Sequence, residues 1–175
     1  MTLLCPPPTH LRQRIKVDPD LSSKDVCHGR IVCECRNDEM EVYYYGKIQK
    51  RIFRTPCVLP FKDDFDNASV IGILLKCKKC GREILLYDSN IHSYNASKHK
   101  KRIKKELYQP FTCEKCDNKY FMVDCEFQYL NEVLDDISEV KINNKSSNFD
   151  WIVVDLKCQS CLKEYNRFLN HEAIE

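Results

Sequence analysis

The sequence has no long hydrophobic run, and this absence limits the possible location of the protein. No apolar stretch of the 175 residues approaches the roughly 18 that a membrane-spanning helix needs. The N-terminus also lacks the apolar core of a signal peptide, because its first five residues run straight into Pro6-Pro7-Pro8. We therefore expect a cytoplasmic protein with no membrane partner. Thiols stay reduced in the cytoplasm, so closely spaced cysteines favour metal binding over disulfides.

A strong excess of one charge is missing as well. The 28 Lys and Arg residues nearly balance the 26 Asp and Glu residues, for a formal charge of +2 with every cysteine neutral. Two zinc sites of four thiolates each would subtract eight charges and add four, which leaves about −2. A near-neutral chain is not the clearly basic domain that is typical of general nucleic-acid binding.

Cysteine, in contrast, is abundant, with 12 residues. Eight of the cysteines form four close pairs, and Cys35 and Cys77 lie 42 residues apart, as do Cys116 and Cys158. Structural zinc takes four ligands in a tetrahedron, which two such pairs can supply. The spacing therefore predicts two structural zinc ions. The predicted ligands are Cys33, Cys35, Cys77 and Cys80 for one ion and Cys113, Cys116, Cys158 and Cys161 for the other.

Two alternatives stay open for these sites. Iron, in a rubredoxin-like centre or a cluster, takes similar thiolate ligands. The pair Cys33/Cys35 is also one residue shorter than the three Cys-x-x-Cys pairs, so Cys27 or His28 is an alternative ligand there.

A site with four thiolate ligands is closed, and this predicts a protein that is not an enzyme. It leaves no position for the metal-bound water that hydrolases and deaminases activate. The deaminase pattern His-x-Glu with Pro-Cys-x-x-Cys is absent too, because Pro110 lies three residues before Cys113. Of the other cysteines, we expect Cys125 in the core and no catalytic role for Cys5, Cys27 and Cys57.

The two halves of the chain align at an offset of 81 residues, which predicts an internal repeat. Strand-like segments, rich in β-branched and aromatic residues, connect the cysteine pairs. We therefore predict a mainly β fold with a few short helices (α+β), built as two tandem zinc-ribbon-like antiparallel units. The identities beyond cysteine are Asn37/Asn118, Val42/Val123, Ile71/Ile152, Leu75-Lys76/Leu156-Lys157 and Glu83/Glu164.

The predicted organisation has four parts: an extended N-terminal arm at 1–26, a first unit at 27–90, a basic linker or helix at 91–109 and a second unit at 110–175. Within the units, we expect residues 48–54 to return as a hairpin partner of strand 41–45, and residues 55–67 to form a loop. Residues 121–129 alternate apolar and polar side chains, which is typical of a half-buried strand. Leu130, Leu134 and Ile137 keep helical spacing, and Leu11, Ile15 and Val17 are candidates to dock the arm.

The sequence resembles uncharacterised bacterial proteins with tandem zinc ribbons. Their knuckles have the form Cys-x-x-Cys-Gly-Lys-Glu after a strand that begins with Trp or Ile, and residues 71–84, 113–123 and 151–165 carry the likeness. The chain departs from this pattern at Cys33-Glu34-Cys35 and at Leu162, where a glycine is usual. The resemblance implies the zinc-ribbon fold and no particular activity.

The function expected first is non-enzymatic binding of another protein, in an immunity-like or antitoxin-like role. The acidic stretches 63–66 and 132–139 motivate this expectation, together with the closed metal sites.

Nucleic-acid binding is the alternative function. Its predicted contacts form one basic run, but no aromatic residues interleave with it as a base-stacking surface requires. The aromatic run 43–45 is more simply explained as a strand with one face in the core. The predicted nucleic-acid contacts are Lys98, Lys100, Lys101, Arg102, Lys104 and Lys105.

Overall fold

The computed structural model describes residues 4–51, 54–62, 69–93, 101–129 and 149–173. In these ranges the chain is mainly β, as predicted, and its one α-helix has four residues, too few to cross a membrane. The short helix is α1 (Ser89–His92), and 3₁₀ turns span Thr9–Leu11 and Lys105–Leu107. The strands are β1 Ile15–Val17, β2 Val26–Ile31, β3 Met40–Tyr45, β4 Lys47–Arg51, β5 Arg54–Leu59, β6 Phe61–Lys62, β7 Ser69–Val70, β8 Gly72–Cys77, β9 Glu83–Asp88, β10 Gln109–Phe111, β11 Tyr120–Gln128, β12 Trp151–Cys158 and β13 Glu164–Glu172.

The strands next to the cysteines follow the predicted patterns. In β11 the side chains of Phe121, Val123, Cys125 and Phe127 are buried, and the residues between them are more exposed. Alternation of this kind places one face of the strand on the core. The strand over residues 121–129 and the core position of Cys125 are therefore confirmed.

Eleven strands form one hydrogen-bonded sheet, with the order β4-β5-β13-β12-β11-β3-β8-β9 along its main path. Strands β3 and β11 pair directly, with Met40 opposite Phe121. Because β3 lies in the first predicted unit and β11 in the second, the two units share this sheet. The division of the chain into domains at the predicted boundaries stays a prediction.

The strands that lead into the first cysteine pair of each half are exchanged between the halves. Strand β2, which precedes Cys33, pairs with β11, whereas β10, which precedes Cys113, pairs with β3. An unpaired strand edge exposes backbone groups that need hydrogen-bond partners. Each half therefore pairs with a strand edge of the other half, and these backbone hydrogen bonds connect the two halves.

One large core cluster contains residues from both halves and from the N-terminal arm. Phe111 packs against the rings of Phe121, Tyr165 and Phe168, with centroids 4.5–5.3 Å apart. Leu11 is fully buried in the same cluster, which confirms that the arm docks on the body.

Two expectations were wrong for residues 48–51 and 54–62, the described part of this stretch. Strand β4 forms where the return strand was predicted, but it pairs with β5 and not with β3. One edge of β3 is occupied by β8 and the other by β10 and β11, so no edge remains for a hairpin partner. The predicted loop 55–67 contains most of β5 and all of β6. The acidic stretches 63–66 and 132–139, and the helical pattern from Leu130 to Ile137, lie outside the described residues.

A pair of half-buried histidines connects the arm to α1. The rings of His10 and His92 stack with their centroids 4.0 Å apart. His10 Nε2 donates to the carbonyl oxygen of Leu86 at 3.1 Å, and His92 Nδ1 accepts from the N–H of Asp88 at 3.0 Å. Burial lowers the pKa of both imidazoles, and that of His92 falls to about 3, with His10 and Arg102 as further causes.

This pair predicts a loss of stability in acid. A histidine whose pKa is lower in the folded state stabilises the protein above its unfolded pKa of about 6.5, and the contribution fades as the pH falls from there toward 3. We expect the free energy of unfolding to drop more between pH 7 and pH 5 in the wild type than in His92→Gln, which keeps a hydrogen-bond acceptor. Denaturant titrations at both pH values measure the difference. An NMR titration of His92 with a midpoint near 6.5 contradicts the prediction.

Candidate metal centres and basic surface

The first predicted ligand set comes together in space. The Sγ atoms of Cys33 and Cys80 are 3.5 Å apart, as are those of Cys35 and Cys77, and all four sulfurs lie within 4.8 Å of one another. Sulfurs bound at about 2.3 Å to one tetrahedral zinc ion lie about 3.8 Å from each other. A disulfide requires about 2.05 Å, so these thiols are free and spaced for a metal ion.

The second predicted set has the same arrangement. The sulfurs of Cys113 and Cys161 are 3.5 Å apart and those of Cys116 and Cys158 are 3.6 Å apart. All four again lie within 4.8 Å of one another. The two groups, site 1 and site 2, can thus each hold a metal ion with four sulfur ligands.

The turns at both sites are closed by matching backbone hydrogen bonds. The N–H of Cys77 donates to the carbonyl oxygen of Arg82 at 2.9 Å, and that of Cys158 donates to Lys163 at the same distance. The residue after each cysteine pair has a positive φ, which turns the chain so that backbone N–H groups face sulfur. These four residues are Arg36 (66°), Gly81 (71°), Asp117 (56°) and Leu162 (59°).

Two asparagines, separated by the repeat offset of 81 residues, each donate a hydrogen bond to a cysteine sulfur of one site. The side-chain amide of Asn37 donates to Cys77 Sγ at 3.5 Å, and that of Asn118 donates to Cys158 Sγ at 3.4 Å. The same amides also donate to the carbonyl oxygens of Glu39 and Tyr120. Hydrogen bonds to the ligands of a metal orient them and tune their basicity. The repeat alignment paired these asparagines, but their contact with sulfur required the structure.

The electrostatics lower the pKa of Cys77 in site 1 and of both Cys113 and Cys158 in site 2, which favours their thiolate forms. Burial raises the pKa of Cys77, but the N–H groups of Cys80 and Lys79 outweigh it and lower the pKa to about 7. At site 2 the N–H of Cys161 and the amide of Asn118 similarly outweigh burial, and the pKa of Cys158 falls to about 6. Metals bind the thiolate form, so a bound cation would replace the protons of the remaining thiols.

The alternative ligands Cys27 and His28 do not join site 1. Cys27 is fully buried in β2, opposite Phe127 of β11, and burial raises its pKa to about 11. The short pair Cys33/Cys35 suffices, because the N–H of Cys33 reaches the carbonyl oxygen of Asn37 at 2.8 Å. The longer turn at site 2 makes the corresponding bond, from Cys113 to Asn118, at the same distance.

No protein-family model, no curated protein and no solved structure matches this chain. The resemblance to bacterial tandem zinc-ribbon proteins therefore stays a prediction.

The left-handed turn at Leu162 predicts a stabilising substitution. A residue with a Cβ atom in this conformation costs about 1–2 kcal/mol relative to glycine. Leu162 is 60% exposed, so its side chain contributes little packing. We expect Leu162→Gly to raise the free energy of unfolding of the metal-loaded protein by about 1 kcal/mol, measured by denaturant titration.

Gly81 provides the matched test at site 1. A Cβ at Gly81 would lie 4.0 Å from Lys76 Cε, an ordinary contact, so only the φ of 71° opposes it. Gly81→Ala should lower the free energy of unfolding by about 1–2 kcal/mol. A loss of stability in Leu162→Gly would show that the turn at site 2 is not under strain.

The described part of the basic run, residues 101–105, is hydrogen-bonded to the body. The N–H of Ile103 donates to the buried carboxylate of Asp88 at 2.9 Å, and the side chain of Asn90 donates to the carbonyl oxygen of Lys101 at 3.0 Å. Residues 101–104 are not helical, whereas Lys98 and Lys100 lie outside the described residues. Four of the predicted contacts are exposed: Lys101, Arg102, Lys104 and Lys105.

Aromatic side chains from other parts of the chain contact residues 107–109, which follow this basic run in the sequence. In the pairing of β10 with β3, Gln109 is opposite Tyr44. Tyr44, Tyr45, Phe61, Leu107 and Gln109, together with Gly46, line a recess of about 310 Å³. We call these residues the aromatic recess. Strands β3 and β6 thus supply aromatic side chains close to the residues that follow the run.

Proposed function

We propose that this chain is a non-enzymatic cytoplasmic protein in which two structural zinc ions hold one β-sheet together. The two sets of four cysteine sulfurs, spaced for tetrahedral coordination, support the ions. Four sulfur ligands fill the coordination shell, which leaves no place for an activated water. Metal analysis of protein purified without chelators should find two zinc ions per chain. Iron bound to thiolates would instead colour the protein and would replace zinc in the analysis.

We further propose that the two halves are one repeated unit. The hydrogen bonds from Asn37 and Asn118 to sulfur, separated by 81 residues, support this interpretation. So does the pairing of Met40 with Phe121, since these two residues are equivalent at that offset.

The partner that the geometry supports best is nucleic acid, bound by the exposed cations of residues 101–105. The observation that carries this proposal is the docked backbone of that segment, which holds the cations in place before a ligand arrives. Within the described residues 101–109, Glu106 is the only carboxylate. Lysines and arginines that neutralise phosphates release counterions, and this release drives binding.

Another recess is larger but less suited to a polyanion. It measures about 540 Å³, and its lining includes Arg30, Asp124, Lys16 and Asp38. The guanidinium of Arg30 donates twice to Asp124, at 2.8 and 2.9 Å. Its cations and carboxylates therefore balance, whereas the segment 101–105 has four cations and no carboxylate of its own.

Fluorescence anisotropy with labelled 20-mer oligonucleotides tests the nucleic-acid function. Lys101→Ala combined with Lys104→Ala should weaken binding at least tenfold and flatten the salt dependence, because each lost phosphate contact reduces the logarithmic slope by about 0.7–0.9. The matched control replaces the exposed Lys16 and Lys24 by Ala, with affinity unchanged. Equal losses in the two double variants would indicate a nonspecific charge effect and contradict the proposal.

A protein partner, with the immunity-like or antitoxin-like role expected from the sequence, is the second candidate. The apolar side chains of Phe61 and Leu107 line one recess and are 41% and 48% exposed. Exposed apolar side chains that lie together are typical of a protein-binding surface, which supports this candidate. Affinity capture from the host, with and without nuclease, distinguishes the two. A stoichiometric protein that resists nuclease favours the second candidate over nucleic acid.

A further inference from the structure

We infer that the ligand of the basic surface is a single-stranded nucleic acid, one of whose unpaired bases enters the aromatic recess. This inference rests on the proposed nucleic-acid function and names its ligand class. It depends on the juxtaposition of the recess and the cations, which come from three separate segments of the chain.

The recess offers an aromatic surface and one free polar group. The rings of Tyr45 and Phe61 meet edge to face with their centroids 5.1 Å apart, and Phe61 is 41% exposed. Tyr44 Oη donates to Gln109 Oε1 at 3.3 Å, which leaves the amide nitrogen of Gln109 as a donor. A nucleobase needs both features, because it stacks on rings and accepts hydrogen bonds at its edge.

Gly46, one of the residues that line the recess, also brings the chain into close contact with β5. A Cβ atom at Gly46 would lie 2.6 Å from the carbonyl oxygen of Leu59 and 2.6 Å from Val58 Cγ1. The volume of about 310 Å³ is at the lower end of the range for ligand pockets, roughly 300–1,000 Å³. The space is therefore suited to a single planar group.

Several lysines are close sequence neighbours of residues that line the recess. Lys47 comes directly after Gly46, and Lys62 comes directly after Phe61, both with exposed side chains. Lys105, two residues before Leu107, forms an ion pair with Glu83, while Lys101 and Lys104 continue the charge along the segment. Lys47 and Lys62, as chain neighbours of two residues that line the recess, can bind the phosphates on either side of a stacked base.

The recess discriminates against a duplex. In double-stranded DNA the faces of each base are covered by its neighbours, and its pairing edge is occupied. A recess walled by rings can stack only on a base that has left the helix. Cations alone bind both forms, so a preference for single strands is the specific signature of the aromatic recess.

The test compares labelled (dT)20, (rU)20 and a 20-base-pair DNA duplex on the zinc-loaded protein. We expect the wild type to bind the single strands at least tenfold more tightly than the duplex. Phe61→Ala should weaken single-strand binding by roughly fivefold to a hundredfold, the effect of removing one stacking residue, and leave duplex binding unchanged. Phe61→Trp should restore the affinity, because it restores a ring.

Two further variants separate this inference from stability and from the proposed function. Phe61→Leu keeps an apolar side chain without the ring and should behave like Phe61→Ala, whereas the exposed Leu21→Ala should bind like the wild type. Equal wild-type affinity for duplex and single strand, or unchanged single-strand affinity in both Phe61→Ala and Phe61→Leu, overturns the inference. If the Lys101/Lys104 double variant still loses binding in that case, the nucleic-acid function stands without it. A wild type that binds no oligonucleotide overturns both.

Discussion

Cys158→Ser is expected to unfold the whole chain, not only its second half. Serine is a poor zinc ligand, so site 2 loses its ion, and structural zinc contributes roughly 10–16 kcal/mol in small domains. That exceeds the total stability of most domains, which is about 5–15 kcal/mol. The zinc content should fall from two ions per chain to fewer than one, and circular dichroism should show the loss of the strand signal.

The prediction extends to site 1 because the two halves share their strands. Strand β2 leads into site 1 but pairs with β11 of the second half, and β10 leads into site 2 but pairs with β3. Melting of either half exposes edges of the other. Cys77→Ser should therefore have the same global effect as Cys158→Ser.

Cys57 provides the control for both variants. It lies half-buried in β5, outside the two sites, and its Sγ is 3.9 Å from Gln49 Oε1. Cys57→Ser should keep both ions and change the stability by no more than about 1 kcal/mol. A metal-free Cys158→Ser protein that stays fully folded would refute the structural role of the ion.

Phe121→Ala is expected to cost about 3–5 kcal/mol, the usual effect of emptying a buried aromatic position. The side chain of Phe121 is fully buried. In the pairing of β11 with β3, Phe121 is opposite Met40, and we call this contact between the two halves the seam. Its ring centroid lies 5.3 Å from that of Phe111 and 6.0 Å from that of Tyr165. A cavity at this point weakens packing in both halves. We therefore expect one cooperative unfolding transition, with its midpoint at a lower denaturant concentration than in the wild type.

Denaturant unfolding followed by fluorescence and by zinc release measures this effect. Phe121→Leu, which leaves a smaller cavity, should cost less than Phe121→Ala. Leu21→Ala, at a side chain that is 60% exposed, should stay within about 0.5 kcal/mol of the wild type. Two separate transitions, one for each zinc ion, would show that the seam does not couple the halves.

Local patterns in the sequence predicted the parts of this protein that depend on neighbouring residues. The alternation over residues 121–129 corresponds to β11, and the spacing of the cysteine pairs corresponds to the two ligand sets. Successive side chains of a strand point to opposite faces, so apolar residues at every second position are enough to place one face on the core. The turns at the pairs likewise depend on a few adjacent residues.

Pairing between distant strands could not be predicted in this way. The sequence favoured a hairpin of β3 with β4, as short connections usually do, but β8, β10 and β11 occupy both edges of β3. The same pairing brings Tyr44 beside Gln109, four residues after the end of the basic run.

The sequence by itself determined the two groups of four cysteines, the mainly β character and the face that β11 turns to the core. Each of these follows from spacing along the chain, whether of ligands around an ion or of side chains along a strand. Only the tertiary structure decided that the halves exchange strands and that the basic run lies beside an aromatic recess. The reason is physical: which edge a strand pairs with depends on competition among all available edges, and no short stretch of sequence contains that information.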